Sequence, residues 1–305
     1  MLERYKLFEP PIDGGGYSDV YRALDTLLNR VVAVKILRNC TPDNLRRFRR
    51  ERDMLQVYRN NPYVIDLLDS NLECAAPFLV LEFSELGSLH KYIANRVNWK
   101  HIARWMRHVV RALSPIHARG DWHRDIKPGN LLLFKDANGR LFVKISDFGF
   151  AQRIDNPSGP MTHSPHGTKG YIDPVAEING YNAASDIFSL ARTINELLTG
   201  DREGGAYPTD VPIELQLLLN SMTRMTRDRR PTADEILSRI AAILEPKVTV
   251  VPQPVQAPIS IPWGTILVGG LVGLAGLLVA SANTWDDNVG QYRNSKGQFA
   301  SGLFG

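Results

Sequence analysis

The chain has 305 residues, with 36 Lys and Arg against 32 Asp and Glu, and two cysteines. A composition of 44% hydrophobic and 22% charged residues excludes wholesale disorder, and Cys40 and Cys74 are too few and too far apart for a disulfide scaffold or a CxxC zinc site. A net charge of +4 over this length gives no support to a nucleic-acid partner.

The first residues, Met1 to Phe8, carry interspersed charges and no apolar core, so they do not read as a signal peptide. From about Tyr5 to Glu245 the composition is mixed and globular. Ile12-Asp-Gly-Gly-Gly-Tyr-Ser-Asp-Val-Tyr21 is a glycine-rich turn between two expected strands. Gly14, Gly15 and Gly16 could bring backbone N–H groups against an anion, or simply close a hairpin. Val31 to Leu37 and Pro77 to Phe83 are short β-rich apolar runs and predict strands. Lys35 lies on the first of them. Between the two, Pro42 to Tyr58 predicts an arginine-rich helix. Glu51 is its expected inward carboxylate, with Asp53 the alternative.

After about Gly87 the pattern turns mostly helical, with clear helices over His101 to Ala118 and Ala184 to Leu198. Strands first and helices later predict a small sheet lobe joined to a larger helical one. Trp122-His-Arg-Asp-Ile-Lys-Pro-Gly-Asn-Leu-Leu-Leu133 sets five polar residues, His123, Arg124, Asp125, Lys127 and Asn130, ahead of an apolar strand. Asp147-Phe-Gly149 follows a second short strand, Leu141 to Ile145. Its carboxylate is a hard oxygen donor of the kind Mg²⁺ takes. The histidines show no metal-ligand spacing such as HExxH.

The composition then changes. Val248 to Trp285 contains no charged residue. Residues 246–261 read as a proline-rich extended linker. Residues 262–282 read as a transmembrane helix, because the 20 residues from Trp263 to Ala282 match the length that crosses a bilayer core. A buried soluble helix is the competing reading, and five glycines make it a poor one in water. Gly269, Gly273, Gly276 and Ala280 fall on one face of that helix and could form a homodimer seam. Residues 283–305 are a short polar tail.

Taken in order, these motifs resemble the eukaryotic-type (Hanks-type) serine/threonine protein kinases over roughly residues 5 to 245. The resemblance rests on the glycine loop, Ala33-Val-Lys35, Glu51, His123-Arg-Asp125 with Lys127 and Asn130, Asp147-Phe-Gly149, Gly167-Thr-Lys-Gly-Tyr-Ile-Asp-Pro174, Ser185-Asp-Ile-Phe-Ser-Leu190 and Arg230-Pro-Thr232. It implies an α+β, two-lobed protein-kinase fold, with an N-lobe over 1–83 and a C-lobe over 84–245, plus the C-terminal transmembrane helix. It implies ATP and Mg²⁺ as cofactors and protein Ser/Thr hydroxyls as substrate. Lys35 would hold the α- and β-phosphates and pair with Glu51. Asp125 would be the base, Lys127 would neutralise the γ-phosphate, and Asn130 and Asp147 would hold the metal. Ile12, Gly14, Gly15 and Gly16 belong to the nucleotide lid. Val20, Ala33 and Leu132 would sandwich the adenine, Leu81 takes the gatekeeper place, and the backbone at Glu82 and Ser84 would bond the adenine edge. Lys127 and Thr168 follow the serine/threonine pattern rather than the tyrosine one.

The chain departs from the family in three places. Asp13 and Ser18 stand where the first and third loop glycines belong, and Val175 replaces a glutamate that pairs with the arginine matching Arg230. The expected substitute is a Glu177–Arg230 pair. Thr162 and Ser164 are expected phosphosites, whose phosphate would bridge Arg124 and the arginines of the 42–58 helix. An ordinary solvated basic face is the other reading of those arginines. The expected protein is a single-pass membrane protein with its kinase domain in the cytoplasm. A weakly active or inactive pseudokinase acting as a membrane scaffold is the alternative.

Overall fold

The computed structural model describes residues 2–14, 16–93, 95, 97–151 and 168–245, together with the backbone of 285–286 and 291–292. Chain contacts divide it into one unit over 1–244 and another over 245–303. The span 262–282 lies outside the described residues. Among the described residues no helix is long and apolar enough to cross a membrane. In the second unit the described residues are Glu245 and two short strands, Trp285–Asp286 and Gln291–Tyr292, paired antiparallel.

The first unit opens with a five-stranded antiparallel sheet. Its strands are β1 (Tyr5–Asp13), β2 (Ser18–Asp25), β3 (Arg30–Leu37), β4 (Leu67–Asn71) and β5 (Phe78–Glu82), in the order β1-β2-β3-β5-β4. Strand β3 is central, with both edges paired, by β2 and β5, and both faces packed. Val32 and Val34 pack with Tyr5, Phe78 and Val80 on one face, while Ala33 and Leu37 join the larger core on the other. The alternation also carries Lys35 to that second face, where a lysine needs partners to stay buried.

Helix α1 (Pro42–Val57) crosses behind the sheet. Thr41 caps it by accepting from Asn44 N at 3.3 Å, and Pro42 occupies the first turn, where its missing N–H leaves nothing unpaired. Its buried stripe is Phe48, Glu51, Met54 and Leu55. A carboxylate therefore sits within an apolar face. Asp53 lies off that stripe and accepts from Arg52 at 2.7 and 2.9 Å. Local packing thus selects Glu51 over Asp53.

The helical lobe is built on α2 (Trp99–Ala118) and α4 (Ala183–Thr199), with α3 (Ala176–Asn179), α5 (Ile213–Met222) and α6 (Ala233–Leu244) around them. Helix α4 is buried along almost its whole length. A reciprocal cap between Asn182 and Ser185 starts it, and Gly200 ends it at φ 78°. The small hairpin β6 (Leu131–Lys135) and β7 (Leu141–Ile145) lies between the lobes. A bridge from Val64 to Ile145 ties it to the chain leading into β4. One continuous core runs from Ala33 and Leu79 in the sheet to Leu190 and Leu218 in the helices.

Of the expected Glu177–Arg230 pair only Arg230 has a described side chain, and its carboxylate partner among the described residues is Asp173. Arg230 donates to both oxygens of Asp173, at 2.8 and 2.9 Å, and to the carbonyls of Arg224 and Ala184. The side chain of Glu177 lies outside the described residues.

Candidate active site

Strand β3 and helix α1 deliver the first pair. Lys35 Nζ donates to Glu51 Oε1 and Oε2 at 2.8 and 2.7 Å, and to Asp147 Oδ1 at 3.1 Å. The three N–H groups of the ammonium are thereby used. Burial pushes the Lys35 amine down, but Asp147 and Glu51 outweigh it and hold the amine above its usual range. Burial likewise pushes Asp147 up, and Lys35 overrides it, leaving the carboxyl below its usual range.

The segment from His123 to Asn130 supplies the second constellation. Asp125 is 4% exposed. Its Oδ1 accepts from Thr168 N at 3.1 Å and Thr168 Oγ1 at 3.0 Å. Its Oδ2 accepts from Asn130 Nδ2 and Lys127 Nζ, both at 2.9 Å. Lys127 Nζ also donates to Thr168 Oγ1 at 2.7 Å. Asn130 gives its other N–H to the Asp125 carbonyl at 2.8 Å, which leaves its amide oxygen as a hard donor. The structure thus brings Asp125, Lys127, Asn130 and Thr168 into one cluster.

Sequence reading assigned no role to Asp186, and the structure makes it the anchor of this segment. From the first turn of α4 its carboxylate accepts from the backbone N–H of His123 at 3.0 Å and of Arg124 at 2.9 Å. His117 Nε2 and Tyr181 Oη complete the shell at 2.9 and 3.3 Å. Burial raises the Asp186 pKa, but the His117 hydrogen bond and charges nearby hold it below its usual value. The signal was present in Ser185-Asp186, yet nothing local says where that carboxylate points. His123 is fully buried, its Nε2 3.1 Å from the Ser146 carbonyl and its ring edge-on to Phe148. Burial lowers its pKa. Arg124 and Asp147 adopt φ of 70° and 62°, conformations that side-chain-bearing residues avoid and that functional segments retain.

The nucleotide-side residues fall on the same face of the sheet. Ala33 and Leu81 are buried, and Val20 and Leu132 pack on the same core. Ser84 Oγ donates to the Leu133 carbonyl, and the Glu82 carboxylate is held by Asp66 N at 2.8 Å and by Lys144. Those side chains are thus engaged elsewhere, and the Glu82 N–H donates to the Asp66 carbonyl at 3.1 Å. Ile12 is the next-to-last residue of β1 and is 56% exposed. Gly14 and Gly16 form the turn into β2, and Gly16 has φ 66°, a position suited to glycine. Gly15, Thr162 and Ser164 lie outside the described residues.

The family model for the protein kinase domain matches residues 9–205. The chain belongs to the protein kinase family. Its sheet lobe and helical lobe are the N-lobe and C-lobe of that domain. The kinase domain is similar to the probable serine/threonine-protein kinase PknB of Bifidobacterium longum, 34% identical over 214 residues. It is also similar to the serine/threonine-protein kinase PrkC of Bacillus subtilis, 34% identical over 203 residues. Each match covers 65% of this chain and 30% of the relative's own length. The serine/threonine-protein kinase PknA of Mycobacterium tuberculosis is 32% identical over 298 residues, covering 86% of this chain and 67% of the relative.

Proposed function

We propose that this kinase domain transfers the terminal phosphoryl group of ATP to Ser and Thr hydroxyls of proteins. The observation that carries the reading is the Asp125 carboxylate, buried and oriented by Thr168, Asn130 and Lys127. A hydroxyl arriving there finds an acceptor for its proton and an ammonium beside it. The substrate oxygen attacks the γ-phosphorus, the bond to the β-bridging oxygen breaks, and ADP leaves with that electron pair. Asp125 receives the hydroxyl proton. Lys127 faces the charge on the transferred group. Lys35, held by Glu51, faces the α- and β-phosphates. The Asn130 amide oxygen and the Asp147 carboxylate are hard donors that fit Mg²⁺, which when bound neutralises phosphate charge.

The 262–282 span supports a single-pass anchor with the kinase domain on the cytoplasmic side, where ATP is. The small-residue face of Gly269, Gly273, Gly276 and Ala280 supports self-association there. Thr162 and Ser164, placed between Asp147 and Thr168 in sequence, are the proposed autophosphorylation sites. Phosphopeptide mapping of active enzyme with both residues unmodified would remove that part.

A [γ-³²P]ATP assay of the full chain against Asp125→Asn tests the main reading. Label transferred by the wild type and lost in the variant is the expected result. Equal signal from both defeats it and favours the pseudokinase scaffold, to which Asp13, Ser18 and Val175 already point.

A further inference from the structure

Tyr17 follows Gly16 in the glycine-rich turn, and its side chain is folded inward. Its ring stands edge-on to Phe48 of α1, with centroids 6.5 Å apart. Lys35 Nζ lies 5.7 Å from the ring centroid, and the Arg47 guanidinium 5.9 Å. The hydroxyl reaches Gly149, where any Cβ would overlap it. Only glycine at that position admits the phenol. Arg47 also lies 5.0 Å from the Phe150 ring, so one cation links the glycine turn to the segment after Asp147.

These neighbours surround the place where a triphosphate must sit. Lys35 is the cation for the phosphates, and Asp147 stands two residues before Gly149. The Lys35 ammonium has its three N–H groups on Glu51 and Asp147, and the Tyr17 ring lies against it. The ring thus occupies space beside the ammonium that would receive a phosphate.

We propose that Tyr17 sets the nucleotide affinity of this kinase domain: its ring is seated at the phosphate end of the cleft, and Mg·ATP binds by displacing it. The inference rests on the kinase reading above. Two opposing forces act on the seat. The edge contact with Phe48 and the cations over the ring favour it. The hydroxyl opposes it, since it is buried and has no hydrogen-bond partner among the described residues. Removing the ring and removing the hydroxyl therefore act in opposite directions. The apparent dissociation constant scales inversely with the fraction of molecules whose site is open.

The test is calorimetric titration of the full chain in detergent with Mg·AMP-PNP, a non-transferable ATP analogue, and with adenosine. Tyr17→Ala is expected to bind Mg·AMP-PNP about three- to tenfold more tightly than wild type, and Tyr17→Phe about threefold more weakly. Adenosine, which has no phosphates, should bind all three proteins alike. If both variants weaken Mg·AMP-PNP, Tyr17 supports the phosphates rather than competing with them, and the proposal is wrong. It is equally wrong if neither variant changes the affinity. In both cases wild-type binding leaves the kinase reading standing. A wild-type chain that binds no Mg·AMP-PNP removes both.

Discussion

Arg230 grips Asp173 through Nη1 and Nη2 at 2.8 and 2.9 Å, and neither side chain reaches solvent. Arg227 Nε and Ser185 Oγ bond the same carboxylate at 3.0 and 2.9 Å. The pair joins the segment after Thr168 to the start of α4 and to the chain entering α6. Removing one member strands the other in the interior. Asp173→Ala is expected to lower the unfolding free energy by about 3–5 kcal/mol. Asp173→Leu combined with Arg230→Met should recover part of that loss, since Arg227 still lacks its carboxylate. Urea denaturation of the three proteins checks it, and a double variant no more stable than Asp173→Ala would contradict the account.

Asp186 acts on chemistry through the backbone it holds. Asp186→Asn keeps the shape but turns one acceptor oxygen into a donor that faces the N–H of His123 or Arg124. Asp125 then loses its fixed position. The expected result is a kcat lower by roughly ten- to a hundredfold with the KM for ATP within about twofold. Steady-state kinetics at varied ATP measures both. A large rise in KM with kcat unchanged would place Asp186 in nucleotide binding instead.

Lys35→Met removes the charge that balances Glu51 and Asp147. Phosphoryl transfer should fall by about a hundredfold or more. Glu51→Gln keeps a hydrogen-bond acceptor for Lys35 and should fall less. Radiolabel transfer to a protein acceptor ranks the two variants. The reverse ranking would mean that Glu51 does more than hold Lys35.

His108 supplies a pH dependence. It is buried against Tyr63, with rings 5.1 Å apart, and its Nδ1 accepts from Val143 N at 3.3 Å. Burial first, then Arg107, Arg111, Arg104 and Arg140, lower its pKa from 6.5 to about 3. In the unfolded chain it gains a proton near pH 6.5, while in the fold it stays neutral to about pH 3. Stability from this residue is therefore complete above pH 6.5 and declines as pH falls between those values, by a few kcal/mol in all. His108→Phe should flatten that part of the curve. Denaturation midpoints measured from pH 7 to pH 4 test the slope.

Much of this site could be read from the chain because its chemistry is local. His123 to Asn130 lie within one short segment, and Asp147-Phe-Gly149 within another, so their residue types and spacing are visible without a fold. The strands β3 and β5 and the helix α1 were also legible, since their apolar patterns are continuous. Strand β4 was not, because Leu67–Asn71 is an edge strand with polar residues at its end.

The sequence by itself marked the groups proposed to do the chemistry: Lys35, Asp125, Lys127, Asn130 and Asp147 stand in motifs a few residues long. Tertiary structure alone decided who holds them. It gave Arg230 the carboxylate of Asp173, turned Asp186 toward the backbone of residues more than 60 positions earlier, and brought the Tyr17 hydroxyl against Gly149. A buried charge takes whichever partner packing brings within reach, and that depends on helix placement rather than on distance along the chain.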